Sequence, residues 1–265
     1  MAYARNPLAK RHSWLKSSRK DSWWIPQLFT AIVLLGFIGY ANFRVFENAH
    51  YEFGTLLSPF YSPLLFGPAD SHHAWFSKPD WLPRWISPAF LILWAPAGFR
   101  LTCYYYRGAY YKAIWQDPPG CGVGEPRKGY LGEKFLPLVV QNLHRYFLYF
   151  ALLFIPILTW DVWNACWDGY GDSRRFSIGL GTLLLFGATA TLALYTFSCH
   201  SLRHLIGGNR DKLSDRPAQF ACYNCVSALN KNHMLYAWIS LFLVAFADLY
   251  VRLCSTGAIS DLRFF

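Results

Sequence analysis

Long, continuous apolar runs separated by short polar and basic stretches make up most of the chain. Crossing about 30 Å of hydrocarbon takes about 20 helical residues. Five runs are that long: 23–46, 86–106, 135–160, 176–201 and 233–253. The second contains Arg100, the third His144 and Arg145, and the fifth Asp248, while the fourth carries no formal charge. Only helices or closed barrels satisfy the backbone in lipid, and a barrel strand would alternate lipid-facing and lumen-facing side chains. The pattern therefore predicts an all-α membrane protein. It would be a five-helix transmembrane bundle forming a single domain over 23–265, preceded by a basic tail over 1–22.

Charge sets the direction of the spans. Sixteen Lys and Arg residues fall in the tail and in the second-to-third and fourth-to-fifth connections, against six on the other side. Basic residues accumulate in cytoplasmic loops, so the N-terminus of this multi-pass membrane protein is expected in the cytoplasm. The long outer connection 47–84, rich in Pro, Phe and Trp, is expected to lie on the membrane surface. Residues 1–20 are basic, and no small-residue cleavage site follows a short apolar core, so a signal peptide is not expected.

Composition supports the membrane reading. Hydrophobic residues are 54% of the chain and charged residues only 15%, below the quarter usual for a soluble domain. The net charge of +10 lies in loops between apolar runs and forms no aromatic-interleaved basic patch, so a nucleic-acid partner is not expected.

Candidate chemistry collects at the predicted inner end. Cys103, Cys121, His144, Cys199, His200, His204, Cys222, Cys225 and His233 all map there, whereas His50, His72, His73, Cys166 and Cys254 map outside. A single His or Cys is more often a core residue, but ionisable groups inside a membrane are costly and tend to be functional. Four centres could use such a set. A structural zinc would take Cys222-x-x-Cys225 and two His, and haem b would take two His from different helices. A di-iron oxygenase or desaturase would use His200-x3-His204, one helical turn apart, but only four inner His occur. A Rieske-type [2Fe–2S] cluster needs two Cys and two His. The Gly- and Pro-rich surroundings of Cys121 favour this last reading, since a fixed backbone can hydrogen-bond cluster sulfur. A carrier, or a membrane protein with incidental Cys and His, is the remaining alternative.

The stretches YYYRGAYYKA (104–113), PPGCGVGEP (118–126), QNLHRYFLY (141–149), SCHSLRHLIGG (198–208) and LNKNHMLYAW (229–238) resemble the single-chain membrane anchor of a non-classical succinate dehydrogenase or fumarate reductase found in actinobacteria. The resemblance implies a flavoprotein subunit and an iron–sulfur subunit as partners, membrane lipid around the chain, a quinone (menaquinone) as acceptor, and a Rieske-type cluster in place of haem b. Oligomerisation of the whole complex is left open. The matching motifs carry Cys121, Cys199, His144, His200, His204 and His233 as candidate ligands, with Cys222 and Cys225 as rival thiols. Arg145, Tyr146 and Arg203 are the candidate hydrogen-bond donors to quinone, because reducing its carbonyl oxygens requires proton delivery. In such an enzyme the chain would not be catalytic alone. Its basic inner loops would dock the iron–sulfur subunit, and residues 2–20 would hold that partner or anionic lipid headgroups.

Overall fold

The computed structural model describes residues 13–68, 71–83, 85–126, 135–136, 138–208 and 210–264. Arg5, Lys10, Arg11, His12, Arg84, Arg127, Lys128 and Lys134 lie outside the described residues. Two compact units divide the chain, one comprising Met1–Gly39 with Leu101–Asn142, the other Tyr40–Arg100 with Leu143–Phe265.

The fold is mostly helical. Four described helices are long and apolar enough to cross a membrane: α1 (Trp24–Glu47), α4 (His144–Ala165, reaching Val139 through a 3-10 turn), α5 (Leu180–Phe197) and α8 (His233–Ser255). Large apolar side chains such as Phe29, Ile32, Leu153, Phe186 and Phe246 are more than half exposed on these helices, a surface suited to lipid rather than water.

The second expected span is shorter than its hydropathy suggests. Pro83 and Pro88 keep the approach non-helical, and the Ser87 hydroxyl accepts from the Ala89 N–H, so α2 runs only Ala89–Thr102. Its 14 residues rise about 21 Å. Cys103 is extended, and the apolar run resumes as α3 (Tyr104–Tyr110) and one π-helical turn, Tyr111–Trp115. The fourth expected span also breaks at its end. Helix α5 stops at Phe197, Cys199 is extended, and His200 and His204 belong to a separate helix α6 (His200–Gly207). Helix α7 (Pro217–Asn230) follows, with proline in its first turn.

In the larger unit, α5 packs most extensively on α8 and next on α4. Small residues allow close approach: a Cβ on Gly181 would come within 2.4 Å of Leu56 and 3.1 Å of Tyr250. The Gly181 N–H, in the first turn of α5, is satisfied by the Asp261 carboxylate at 3.1 Å, and Tyr250 donates to the same oxygen at 2.9 Å. Gly98 of α2 admits Phe147 of α4, whose ring would lie 2.2 Å from any added Cβ.

In the smaller unit, the described part of the basic N-terminal segment pairs with the Cys121 loop. Leu15 N–H donates to Gly124 O at 3.0 Å, and Gly124 N–H returns to Lys16 O at 2.9 Å. Ser17 Oγ reaches Gly122 O, and Arg19 Nη1 reaches Cys121 O at 3.1 Å. Gly122 has φ +71°, a conformation that glycine adopts without a Cβ penalty.

Away from its N-terminus, α8 carries a buried ion pair. Asp248 is 0% and Arg252 3% exposed. Arg252 Nε donates to both Asp248 oxygens at 3.1 and 2.9 Å, and its Nη1 donates to Glu47 and to Ala49 O. Tyr40 OH and Ser58 Oγ complete the shell of Asp248. Arg252, one of the six basic residues counted on the outer side, is thus an internal charge. Removing one member of a buried pair strands the other, so Asp248→Ala should cost about 3–5 kcal/mol. A thermal-denaturation series on the purified protein checks this. Wild-type stability in that variant would contradict the pairing described.

Candidate functional site

Side chains from six helices of the larger unit meet where α4 and α8 begin. His144 is the first residue of α4 and His233 the first of α8. The break after α5 turns Cys199 inward as the N-cap of α6, where it is 1% exposed. Its sulfur lies 3.1 Å from His144 Nε2 and accepts the Ser201 N–H at 3.3 Å. A thiol and an imidazole from separate helices therefore face each other inside the protein.

Aromatic rings frame this pair. The His144 ring stacks on Phe99 at 4.7 Å and 9° and hydrogen-bonds the Phe99 backbone. Phe99 meets Tyr195 edge-on at 5.4 Å, and Tyr195 stacks on His233 at 5.0 Å. His233 Nδ1 is 2.7 Å from Ser198 Oγ, and Asn230 Nδ2 holds the Ser198 carbonyl at 2.6 Å. His200 sits edge-on to His233 at 6.4 Å. The half-buried His144 and the buried His233 are thus each anchored by a polar partner, the arrangement that fixes ring orientation in metal-binding histidines.

Arg100 extends from α2 across to α8, donating to Ala237 O at 3.2 Å and Ser240 Oγ at 2.9 Å, with its guanidinium over the Tyr195 ring at 4.9 Å. His233 lies within electrostatic reach of Arg100, His144 and His200. Partial burial holds His200 below the usual imidazole pKa, and the charges of Arg203 and His204 add to this.

Other candidates lie elsewhere. His204 is exposed on α6. Arg203 is half-buried, donates to Ser227 Oγ at 3.0 Å and stacks on Tyr223. It borders a cleft of about 370 Å³ with His204, Arg210 and Tyr223. Arg145 and Tyr146 are exposed beside His144. Cys222 and Cys225 are exposed on α7, and Cys121 is exposed in the other unit. Among the described residues, no three His, Cys, Asp or Glu side chains come together as a set that could hold a metal ion. The framing residues Phe99, Tyr195, Ser198 and Asn230 were not among the sequence candidates. Their only signal is adjacency to the Cys199 and His233 motifs and to Arg100.

Residues 25–257 match the family model described as actinobacterial succinate dehydrogenase subunit SdhC. The chain belongs to this family. Its fold is similar to a chain of the Mycobacterium smegmatis Sdh1 complex in the apo form, with a TM-score of 0.86 and 40% identity, over 98% of this chain and 97% of that one. Comparison with curated proteins gives no match. The chain is therefore a membrane anchor subunit of a succinate dehydrogenase, an oxidoreductase complex in which it is the non-catalytic membrane part. As an SdhC subunit with four helices long enough to span, it is a multi-pass protein of the bacterial inner membrane.

Ser198 orients His233 without belonging to any donor set. In the assembled enzyme, Ser198→Ala should lower succinate-driven quinone reduction about 10- to 100-fold, as loss of an orienting hydrogen bond does at metal sites. Reduction of a soluble dye by the flavoprotein should be unchanged. Quinone reduction at the wild-type rate would contradict that role.

Proposed function

We propose that this SdhC subunit carries electrons from the iron–sulfur subunit to menaquinone through a centre ligated by Cys and His, of the [2Fe–2S] Rieske type. The observation that carries the reading is the 3.1 Å approach of His144 Nε2 to Cys199 Sγ, with His233 and His200 at the same bundle end. The donor types support the reading, since a buried thiol faces one imidazole and two further imidazoles stand nearby. Cys199 and His144 would hold the centre and His233 or His200 would give the second imidazole, while Cys121, in the other unit, is carried only by its motif as a candidate thiol. His204 is the reserve imidazole, and Cys222 with Cys225 the rival thiol pair. When bound, such a centre supplies a one-electron relay.

The protein's own groups prepare that site. Ser198 and the Phe99 backbone fix the two imidazoles, while the rings of Phe99 and Tyr195 exclude water. Ser201 N–H points at the Cys199 sulfur, and bonds of this kind tune reduction potential. Arg145, Tyr146 and Arg203 are the proposed donors to the quinone oxygens. A bis-His haem b is the second reading, favoured by His144 and His233 standing on different helices. The contact of His144 with a thiol argues for the iron–sulfur centre.

In this reading the chain crosses the membrane five times, α2 making the shorter passage. The N-terminus lies in the cytoplasm, and the basic loops dock the iron–sulfur subunit. Replacing His144 and His233 with Ala in the whole complex should abolish succinate-driven quinone reduction and lower iron and acid-labile sulfide by the content of one cluster. Dye reduction should persist. Unchanged iron and sulfide would overturn the cluster, and loss of a haem absorption band instead would transfer the site to haem b.

A further inference from the structure

Far from this centre, α4 borders a second polar feature. Asp161 is seventeen residues beyond His144 on the same helix, about 25 Å along its axis. With Ile157 and Trp160 it forms one wall of a cavity of about 230 Å³, and Leu64, His73 and Trp75 form the opposite wall.

Among the described residues, the cavity lining has one acidic group and no Lys or Arg. Ser62 Oγ donates to the Asp161 carboxylate, and among the described residues His73 is the basic side chain that acts on it. His73 is itself turned to Gly54 O through Nε2, at 3.1 Å. Trp75 and Trp160, 57% and 61% exposed, stand at the rim. Indole faces attract cations, and a carboxylate adds a charge-assisted acceptor. A phosphate or carboxylate would meet Asp161 as a like charge. Tryptophan favours the level of lipid headgroups, and α4 is a spanning helix, so the rim lies where headgroups gather.

We propose that this cavity binds a primary ammonium group, supplied by the headgroup of an aminophospholipid such as phosphatidylethanolamine. Asp161 is the counter-ion and acceptor, and Trp75 and Trp160 flank the cation. The same ammonium chemistry could come from a soluble amine, which has no acyl chains to follow the lipid-facing side of α4.

The test uses the whole purified complex, exchanged into an equimolar mixture of phosphatidylethanolamine, phosphatidylcholine and phosphatidylglycerol. Lipid retained per flavin is then counted by mass spectrometry. Wild type should retain phosphatidylethanolamine in excess, and Asp161→Asn should reduce that retention about tenfold, the weight of one charge-assisted contact. Trp75→Leu, at an exposed rim position, should reduce it about threefold. Succinate-driven quinone reduction should be unchanged in both, which separates this site from the redox centre. Retention unaltered by both substitutions, preference for phosphatidylglycerol, or displacement of the lipid by free ethanolamine would each overturn the proposal.

Discussion

Hydrocarbon offers no hydrogen bonds, so every polar group inside a spanning helix must find its partner within the protein. Much of this structure follows from that constraint. Arg100 reaches the Ala237 carbonyl and Ser240 hydroxyl on α8, which ties α2 to α8. The same tie holds Phe99, the preceding residue, against the His144 ring. At the other end of α8, Asp248 and Arg252 satisfy each other and draw in Tyr40, Ser58 and Glu47. Buried pairs of this kind add little net stability, but they fix which residues face one another.

Breaks in apolar helices do the complementary work. A continuous helix through residue 201 would carry the Cys199 side chain along the α5 axis. The extended backbone at Cys199 instead starts a new helix, and the residue becomes both its N-cap and the neighbour of His144. No proline stands near this turn to announce it in the sequence. The small residues Gly98 and Gly181 let neighbouring elements approach closely enough to hold the arrangement.

Four of the five expected spans were legible because an apolar run of more than 18 residues fits a spanning helix and little else. The second was overestimated, since hydropathy sums side chains and is blind to the extended conformation of Cys103 and to the prolines before Ala89. Likewise, the Cys and His motifs named His144, Cys199, His200 and His233, but not the aromatic rings between them. Phe99 and Tyr195 look like ordinary span residues until two helices bring them together. The basic segment before α1 read as a surface for partners or lipid. In the structure its residues 14–19 pair with the Cys121 loop, a contact between segments about a hundred residues apart that no local pattern foretells.

Whether imidazoles beside Cys199 ligate a redox-active iron centre is tested most directly by pulsed electron-spin spectroscopy of the reduced complex, with histidine labelled by nitrogen-15. Strong hyperfine coupling to two inequivalent histidine nitrogens is predicted, with one coupling lost in His144→Ala. A reduced complex with no histidine nitrogen coupled to its iron–sulfur spins would contradict such ligation.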